Sequence, residues 1–314
     1  MRRERGVALV LVIWVAVLLT VIASAFIVER RTETMVIGNS VSIARAEALA
    51  DAGVQRAVFE IYRNDSSPDA WKRDGSRYTM EMDGVPVSVE IRDESAKIDI
   101  NTAQDQLIRG LLVVSGLPDD EANRVLDAIL DWRDPDDLKR PNGAEEPDYK
   151  AAGLQYKPAN APFQAIEELQ LVLGMRPEVY RRIAPFITVF SRSPGVNAQL
   201  APREVLLAIP GATLELVDDY IARREAARAA AAPLPAFPQL ATPSGFTSVI
   251  SGFTMVATIR SEARLDDGTT FAREAVAILR PAPRKPVTFL AWRQQPAALV
   301  EDSPVNPPPA TNAR

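Results

Sequence analysis

The amino-terminal region constrains the fold of this chain more than any other segment. Residues Val7–Val28 form a run of 22 residues without a charged side chain, and Arg2, Arg3 and Arg5 precede it. A helix of this length, at roughly 1.5 Å per residue, spans the roughly 30 Å hydrocarbon layer of a bilayer. The basic residues before the run favour a cytoplasmic amino terminus. We therefore expect a single-pass membrane helix over 7–28, with most of the chain on the far side of the membrane.

Three interpretations of this amino-terminal segment are possible. Ala23-Ser24-Ala25 fits the pattern of a cleaved signal peptide and would release a soluble protein that begins at Phe26. An uncleaved anchor is the second possibility. The third is a prepilin-type leader, a short basic peptide that ends in Gly6 and leaves the apolar helix on the mature protein.

The helical pattern continues beyond the apolar run. Apolar residues such as Ile43, Ala50, Val54 and Ile61 recur at helical spacing, and no proline occurs before Asp65. The sequence therefore predicts one continuous helix from Val7 to Tyr62, roughly 80 Å long at the standard rise. Such a rod is typical of a filament subunit, whereas a secreted soluble enzyme has no need of it.

Strand patterns occur in two separate parts of the chain. Alternating apolar residues and Asp-Gly turns predict strands before residue 101 and again after residue 252. The predicted strands are Tyr78–Met82, Val85–Ile91, Lys97–Asn101, Phe253–Leu265, Thr269–Leu279 and Val287–Trp292. About 130 residues of helical pattern separate the two groups, and they contain a loose repeat in which Asn101-Thr102-Ala103 corresponds to Asn197-Ala198. The fold class is therefore α+β, with an antiparallel sheet interrupted by a helical insertion.

Composition excludes several classes of function. The chain has neither histidine nor cysteine, which removes Ser-His and Cys-His triads, disulfides and the commonest metal ligands. It has no P-loop and no dinucleotide-binding glycine motif, and its net charge is −5. We expect no enzymatic activity and no general affinity for nucleic acid.

Five sequence runs in this order resemble the minor pseudopilin K family of type II secretion. They are SAKIDINTA, LDWRDPDD, RPNGAE, PANAPFQAIEEL and VNAQLAPREVLLAIPG, between Ser95 and Gly211. The resemblance implies a pilin-like fold that carries two SAM-like, helix-hairpin-helix-like domains. It also implies cleavage between Gly6 and Val7 by prepilin peptidase, methylation of the new amino terminus, and a place at the tip of a periplasmic pseudopilus. The implied partners are other minor pseudopilins, the secretion machinery of the inner membrane, and the secreted substrate or the outer-membrane secretin.

The resemblance and the patterns together divide the chain into segments. The expected segments are a leader (1–6), a transmembrane helix (7–28), its amphipathic continuation (29–62), the first part of the sheet (63–100), a first helical domain with an acidic loop (101–192), a second helical domain with an Ala/Pro-rich linker (193–242), the second part of the sheet (243–295) and a disordered Pro-rich tail (296–314).

Leu11 occupies the position where pilins usually carry a glutamate, the fifth residue if Val7 is the first of the mature chain. That glutamate is thought to pair with the amino terminus of the subunit above. A subunit at the tip has no such neighbour, and an unpaired charge in the bilayer would cost several kcal/mol, so an apolar residue fits a tip position. Leu11 is equally explained as one more lipid-facing side chain.

An acidic loop is the strongest chemical feature of the sequence. Seven carboxylates lie within 18 residues, against three cationic side chains. They belong to Asp131, Asp134, Asp136, Asp137, Glu145, Glu146 and Asp148. Oxygen-rich loops of this kind suit calcium, although the spacing is not that of an EF-hand. From composition alone a solvated loop neutralised by its own lysine and arginines explains the pattern as well, and paired carboxylates can also cleave glycosidic bonds. The resemblance implies a structural calcium site in this domain, and we expect its ligands among Asp134, Asp136, Asp137, Glu145, Glu146 and Asp148.

A second class of function competes with the pseudopilin hypothesis. The helix, glycine turn, helix pattern after Asn101 also resembles helix-hairpin-helix DNA-binding proteins of the competence type, which can be membrane-anchored. Such a turn offers backbone amides to a phosphate. Here Pro118 removes an amide, and Asp119 and Asp120 would repel phosphate.

Overall fold

The computed structural model describes the backbone of residues 4–63, 70–230, 232–238, 240, 245–247, 255–280 and 285–296, and the side chains of these residues except 4–8 and 25–34. The elements in chain order are α1 (Glu4–Arg63), β1 (Asp74–Met82), β2 (Val85–Asp93), β3 (Ile98–Asp99), α2 (Asp105–Val114), α3 (Asp119–Arg133), α4 (Glu146–Ala151), α5 (Pro177–Ile183), β4 (Ile187–Thr188), α6 (Arg203–Leu207), α7 (Leu214–Ala229), β5 (Met255–Arg264), β6 (Thr270–Leu279) and β7 (Val287–Gln295). Three short 3₁₀ turns lie at Glu94–Ala96, Ile166–Leu171 and Ala184–Phe186.

The amino-terminal helix α1 is continuous over 60 residues. Its carboxyl-terminal part packs on the sheet through small apolar side chains, among them Ala46, Ala50 and Val54, which are fully buried. Gly53 is required by this packing, because a Cβ there would lie 2.1 Å from the Ser261 Oγ on β5. Over the side chains that the structure describes, no helical stretch is long and apolar enough to cross a membrane.

The large sheet is antiparallel, with strand order β1-β2-β5-β6-β7. The β1–β2 hairpin turns through Asp83 and Gly84, whose positive φ angles of 52° and 74° fit a two-residue turn that matches strand twist. One face of β2, β5 and β6 buries Val87, Ile259 and Ala275 against α1. The helical insertion therefore begins after β2 and ends before β5, and these two strands are neighbours in the sheet.

Arg273 on β6 ties α1 to this sheet. Its Nε lies 2.6 Å from the Asp51 Oδ1, and its Nη2 lies 2.5 Å from the Glu47 Oε1. The guanidinium also stacks over the rings of Phe271 and Trp292, with its carbon 4.9 Å and 5.3 Å from their centroids. A cation held by two helix carboxylates and two sheet aromatics fixes the helix on the sheet.

The insertion has a hydrophobic core of its own, built from α2 to α7. Its two helical hairpins begin with the same turn. Asp99 accepts hydrogen bonds from the amides of Asn101 (2.9 Å, on Oδ1) and Ala103 (2.8 Å, on the carbonyl), and Asn197 accepts the corresponding bonds from Gln199 (3.1 Å) and Ala201 (2.8 Å). Asp99 therefore corresponds to Asn197, whereas the sequence alignment matched Asn101 to Asn197. The two alignments differ by two residues because the side chain that starts the turn defines the repeat.

The two hairpins pack against each other at Gly110. A Cβ on this α2 residue would lie 2.0 Å from the carbonyl oxygen of Ala208, the residue that follows α6. The close approach lets the two helices share one core.

Several boundaries differ from the sequence-based expectation. The predicted strand Lys97–Asn101 is only β3, and it pairs in parallel with β4 in a separate two-stranded sheet. The strand ends there because the buried Asp99 carboxylate bonds the next amides and turns the chain. Within the stretch of helical pattern, Ile166–Leu171 forms a 3₁₀ turn, and α4 lies inside the acidic loop, where no helix was expected. Of the expected disordered tail (296–314), every residue after 296 lies outside the described part of the chain.

Glu94 joins the insertion to the large sheet. This carboxylate is only 2% exposed. Its Oε1 accepts hydrogen bonds from Lys97 Nζ (2.7 Å) and from Thr258 Oγ1 on β5 (2.8 Å), and its Oε2 accepts one from Thr188 Oγ1 on β4. One buried side chain therefore contacts both the stem of the insertion and the sheet.

Candidate metal centre

The acidic loop is held between the end of α3 and the start of α4. Asp131 and Asp134 lie at the end of α3, and Glu145 precedes the first residue of α4. The Asp148 Oδ2 accepts a hydrogen bond from the Glu145 amide at 2.9 Å, which fixes the start of α4. Gly143 is needed beside Asp131, because a Cβ at this position would lie 1.9 Å from the Asp131 Oδ2. The loop thus folds back onto the carboxylates of α3.

Glu145 lies at the centre of this arrangement. It is 4% exposed, and both of its carboxylate oxygens are buried without a hydrogen-bond donor. Burial raises its pKa to about 7, and the negative charges of Asp131, Asp134, Asp137 and Asp136 add to the effect. An ionised carboxylate here needs a positive charge that the nearby side chains do not supply.

Arg140 is the cation closest to the α3 carboxylates. Its Nε lies 3.4 Å from the Asp131 Oδ1, and its Nη2 lies 3.4 Å from the Asp134 Oδ2. Burial still raises the pKa of both aspartates. The Asp134 Oδ1 and the amide oxygen of Asn160 are also buried without a partner. Together with Glu145, these atoms form a group of oxygen acceptors that lack donors.

The remaining expected ligands are occupied by other groups. The Asp136 Oδ1 accepts a hydrogen bond from the Leu138 amide (2.8 Å), and the Asp137 Oδ1 accepts one from the Asn160 Nδ2 (2.8 Å). Glu146 is paired with Lys150 at 2.6 Å and Lys157 at 3.4 Å, and Asp148 is paired with Lys139 at 2.6 Å. The structure therefore separates Glu146 and Asp148, which face lysines, from the four residues around Glu145.

As the side chains stand, the described part of the chain holds no group of three or more acidic side chains in position to bind a metal ion. The donor types nevertheless suit a hard cation, because carboxylate and amide oxygens are the ligands such a cation prefers, and four aspartates act electrostatically on Glu145. Asn160 was not expected from the sequence. The only signal for it is its place in the PANAPFQAIEEL run.

Aromatic side chains close the apolar side of the loop. Trp132 and Tyr149 are 3% and 0% exposed, and the Trp132 ring stacks on Phe163 at 6.1 Å between centroids. The Tyr149 hydroxyl accepts a hydrogen bond from the Leu173 amide at 3.0 Å, and burial raises its pKa to about 12. Buried rings of this kind belong to the core and offer no platform for a sugar.

The other expected site residues lie on α1. Gly6 and Val7 fall within the first turns of the helix, and their side chains lie outside the described set. Leu11 is 61% exposed.

Acidic residues follow each of the two glycine turns described in the insertion, in the first turn of the next helix. Gly116 (φ 96°) precedes α3, whose first turn carries Asp119, Asp120 and Glu121, and Gly211 (φ 82°) precedes α7, whose first turn carries Glu215. Carboxylates at these amides repel phosphate. The geometry disfavours the competence-type DNA-binding alternative.

Comparisons with known proteins agree with the fold. The family model described as type II secretion system (T2SS), protein K matches residues 89–192. Type II secretion system protein K of Pseudomonas aeruginosa is 27% identical over 243 residues, which cover 69% of this chain and 72% of that protein. The protein K of Klebsiella pneumoniae is 28% identical over 231 residues, covering 66% and 70%. In Pectobacterium carotovorum the identity is 26%, covering 59% of this chain and 62% of the relative.

Among solved structures, a chain of the GspK-GspI-GspJ complex from enterotoxigenic Escherichia coli aligns with a TM-score of 0.57 at 16% identity. The alignment covers 86% of this chain and all of that chain. The fold and these relatives define a class, the minor pseudopilins of type II secretion systems. Within this class, the chain is similar to the protein K family.

Proposed function

We propose that this chain caps or initiates the periplasmic pseudopilus of a type II secretion system and so supports protein export across the outer membrane. The role is structural and involves no catalysis. The observation that carries the proposal is the large helical insertion between β2 and β5, which has its own core and is attached beside a sheet that packs on α1. A second subunit stacked directly above would meet this bulk. The chain can therefore begin or end a filament more readily than extend one.

The proposed assembly uses the part of α1 that the sheet leaves uncovered. Val41 and Ile43 on this helix are 63% and 50% exposed. Exposed apolar side chains on a continuous helix suit packing against the helices of other minor pseudopilins. The solved structure with a similar fold comes from a complex with GspI and GspJ, which supports partners of this kind.

Co-purification of the full chain with the I and J pseudopilins of its own secretion system tests this role. We expect the double variant Val41→Glu, Ile43→Glu to lose both partners and to block secretion. Leu138→Glu is a matched control, because Leu138 is 76% exposed but lies in the acidic loop. Retention of both partners by the α1 variant would contradict the proposed assembly.

The membrane anchor and the leader form part of the same proposal. The 22 uncharged residues of Val7–Val28 support a helix in the inner membrane with the bulk of the chain in the periplasm. Prepilin peptidase would cut between Gly6 and Val7, with methylation of the new amino terminus. The apolar Leu11 at the fifth mature position agrees with a subunit that has none above it.

Mass spectrometry of the mature amino terminus tests the leader. We expect the chain to begin at a methylated Val7 and Gly6→Leu to remain unprocessed, whereas Gly38→Leu, in open space on the same helix, should mature normally. A mature chain that begins at Phe26 would contradict the proposal.

A structural calcium site in the acidic loop is the second element of the proposal. The fit rests on the buried oxygens that lack donors, on Glu145, Asp134 and Asn160. Asp131 and Asp137 would complete the oxygen set. A bound calcium would supply the positive charge that this buried group of carboxylates lacks.

Calcium titration of the full chain tests this site through its melting temperature, because an ion that binds only the folded state stabilises it. We expect calcium to raise the melting temperature of the wild type but not of Glu145→Gln or Asp137→Ala. Glu146→Gln should keep most of the response, since that carboxylate faces two lysines. An equal response in all variants would exclude Glu145 and Asp137 as ligands.

A further inference from the structure

A cleft of about 490 Å³ lies between the insertion and the large sheet, and no residue of the acidic loop lines it. The sheet contributes Met255 and Ile278, and the insertion contributes the segment from Phe190 to Asn197. A volume of this size lies within the range of ligand-binding clefts.

Three arginines line the cleft without a carboxylate partner. They are Arg73, Arg192 and Arg280, and none of them forms an ion pair within the described part of the chain. The Arg73 Nη1 contacts the thioether of Met255 at 2.6 Å, which is a weak acceptor for a guanidinium. Most other arginines of this acidic protein are paired, so a cluster of unpaired ones at one cleft is unusual.

Asp93 is the acidic side chain among the lining residues that the structure describes, and it is already engaged. Its Oδ1 accepts hydrogen bonds from the amide and the hydroxyl of Ser95, at 3.0 Å and 2.7 Å. It is 8% exposed. The cleft therefore presents an excess of positive charge to solvent.

The backbone at Arg192 supports a binding role. Its φ angle of 52° lies in the left-handed region that a residue other than glycine seldom adopts. The buried Asp99 holds this conformation, because its Oδ2 accepts a hydrogen bond from the Arg192 amide at 2.7 Å. Strained residues of this kind cluster at binding sites, where the strain directs a side chain.

The rest of the lining determines which anion fits. Phe190, Leu200 and Ile278 give the cleft an apolar surface, and the hydroxyl of Ser95 lies among them. We propose that this cleft binds an acidic segment of a partner polypeptide, whose carboxylates pair with Arg73, Arg192 and Arg280 while a neighbouring apolar side chain packs on Phe190. Arginine suits this role because its planar guanidinium pairs with a carboxylate through two parallel hydrogen bonds. The inference goes beyond the proposed function and does not depend on it.

Fluorescence anisotropy of the full chain in detergent micelles tests the proposal. The probe is a labelled peptide, Gly-Asp-Phe-Glu-Leu-Asp-Gly, and its control has Asn and Gln in place of Asp and Glu. We expect the acidic peptide to bind, the amide peptide to bind at least tenfold more weakly, and salt to weaken the binding of the acidic peptide.

The double variant Arg192→Gly, Arg280→Gln should bind the acidic peptide at least tenfold more weakly. Glycine adopts the φ of residue 192 without strain, so the fold is kept, and an unchanged melting temperature checks this. Arg124→Gln is the matched control, because Arg124 is an exposed arginine on α3 outside the cleft. Equal binding of the acidic peptide by the double variant and the wild type would overturn the proposal. The proposal would also be overturned if the wild type bound inorganic phosphate or phosphatidylglycerol vesicles but not the peptide, and if the double variant lost that binding.

Discussion

Replacement of Glu145 by glutamine should stabilise the calcium-free protein at neutral and alkaline pH. Both oxygens of Glu145 are buried without donors, and its pKa is raised from 4.5 to about 7. The folded state therefore keeps a proton that the unfolded chain loses above pH 4.5. At about 1.4 kcal/mol per pH unit, the full difference corresponds to about 3 kcal/mol.

The sign of the effect follows from the raised pKa. Below pH 4.5 the side chain is protonated in both states and contributes nothing. Between pH 4.5 and about 7 the free energy of unfolding of the wild type falls as pH rises, and above about pH 7 the loss is complete. We expect Glu145→Gln to match the wild type at pH 4.5 and to exceed it by up to about 3 kcal/mol at pH 8.

Urea unfolding in a calcium chelator at these two pH values measures the difference. Tryptophan fluorescence is a suitable probe, because Trp132 is buried beside the loop. Asp148→Asn serves as a control, since Lys139 holds the pKa of Asp148 below its usual value and its loss should not stabilise the fold. A variant Glu145→Gln that is no more stable than the wild type at pH 8, or equally stabilised at both pH values, would refute the reasoning.

Three further substitutions test the packing described above. Glu94→Ala should lower the free energy of unfolding by about 3 kcal/mol, because it leaves buried donors on the insertion and the sheet unpaired. Glu94→Gln should lower the free energy of unfolding by less. Urea unfolding measures both variants. Gly110→Ala should cost about 2 kcal/mol in the same assay, as its Cβ would overlap the Ala208 carbonyl, whereas Gly38→Ala, in open space, should cost nothing. Arg273→Met should speed amide hydrogen exchange in the carboxyl-terminal half of α1 without changing exchange in the insertion.

The sequence was sufficient for the elements with strong local signals. The hairpin turns at Asp83-Gly84 and Asp266-Asp267-Gly268 and the alternation around them predicted four strands of the large sheet within a few residues. The proline-free amphipathic pattern likewise predicted α1. β3 was assigned to the wrong sheet, because its partner β4 lies almost 90 residues away and is only two residues long. No local pattern reveals such a pairing.

The candidate site was predicted as a segment but not as a set of contacts. Composition indicated that the acidic loop carries excess negative charge, and the structure places that excess around Glu145. The short helix α4 brings Glu146 beside Lys150, one turn further on, and Asp148 pairs with Lys139 of the loop. The sequence analysis missed these pairings because it predicted no helix at α4. Asn160 joins the site only through tertiary folding.

The position of the insertion has a consequence for the order in which the chain folds. β2 and β5 are neighbours, although about 160 residues separate them along the chain. Bringing two such distant segments together costs entropy that grows with the length of the intervening loop. Once the parallel pair β3–β4 has formed, the ends of the first helical unit are already adjacent, and the loop still to be closed is about half as long. The large sheet therefore forms most readily after the insertion has folded. A destabilising substitution in the insertion would slow formation of the large sheet, although the two share no hydrophobic core.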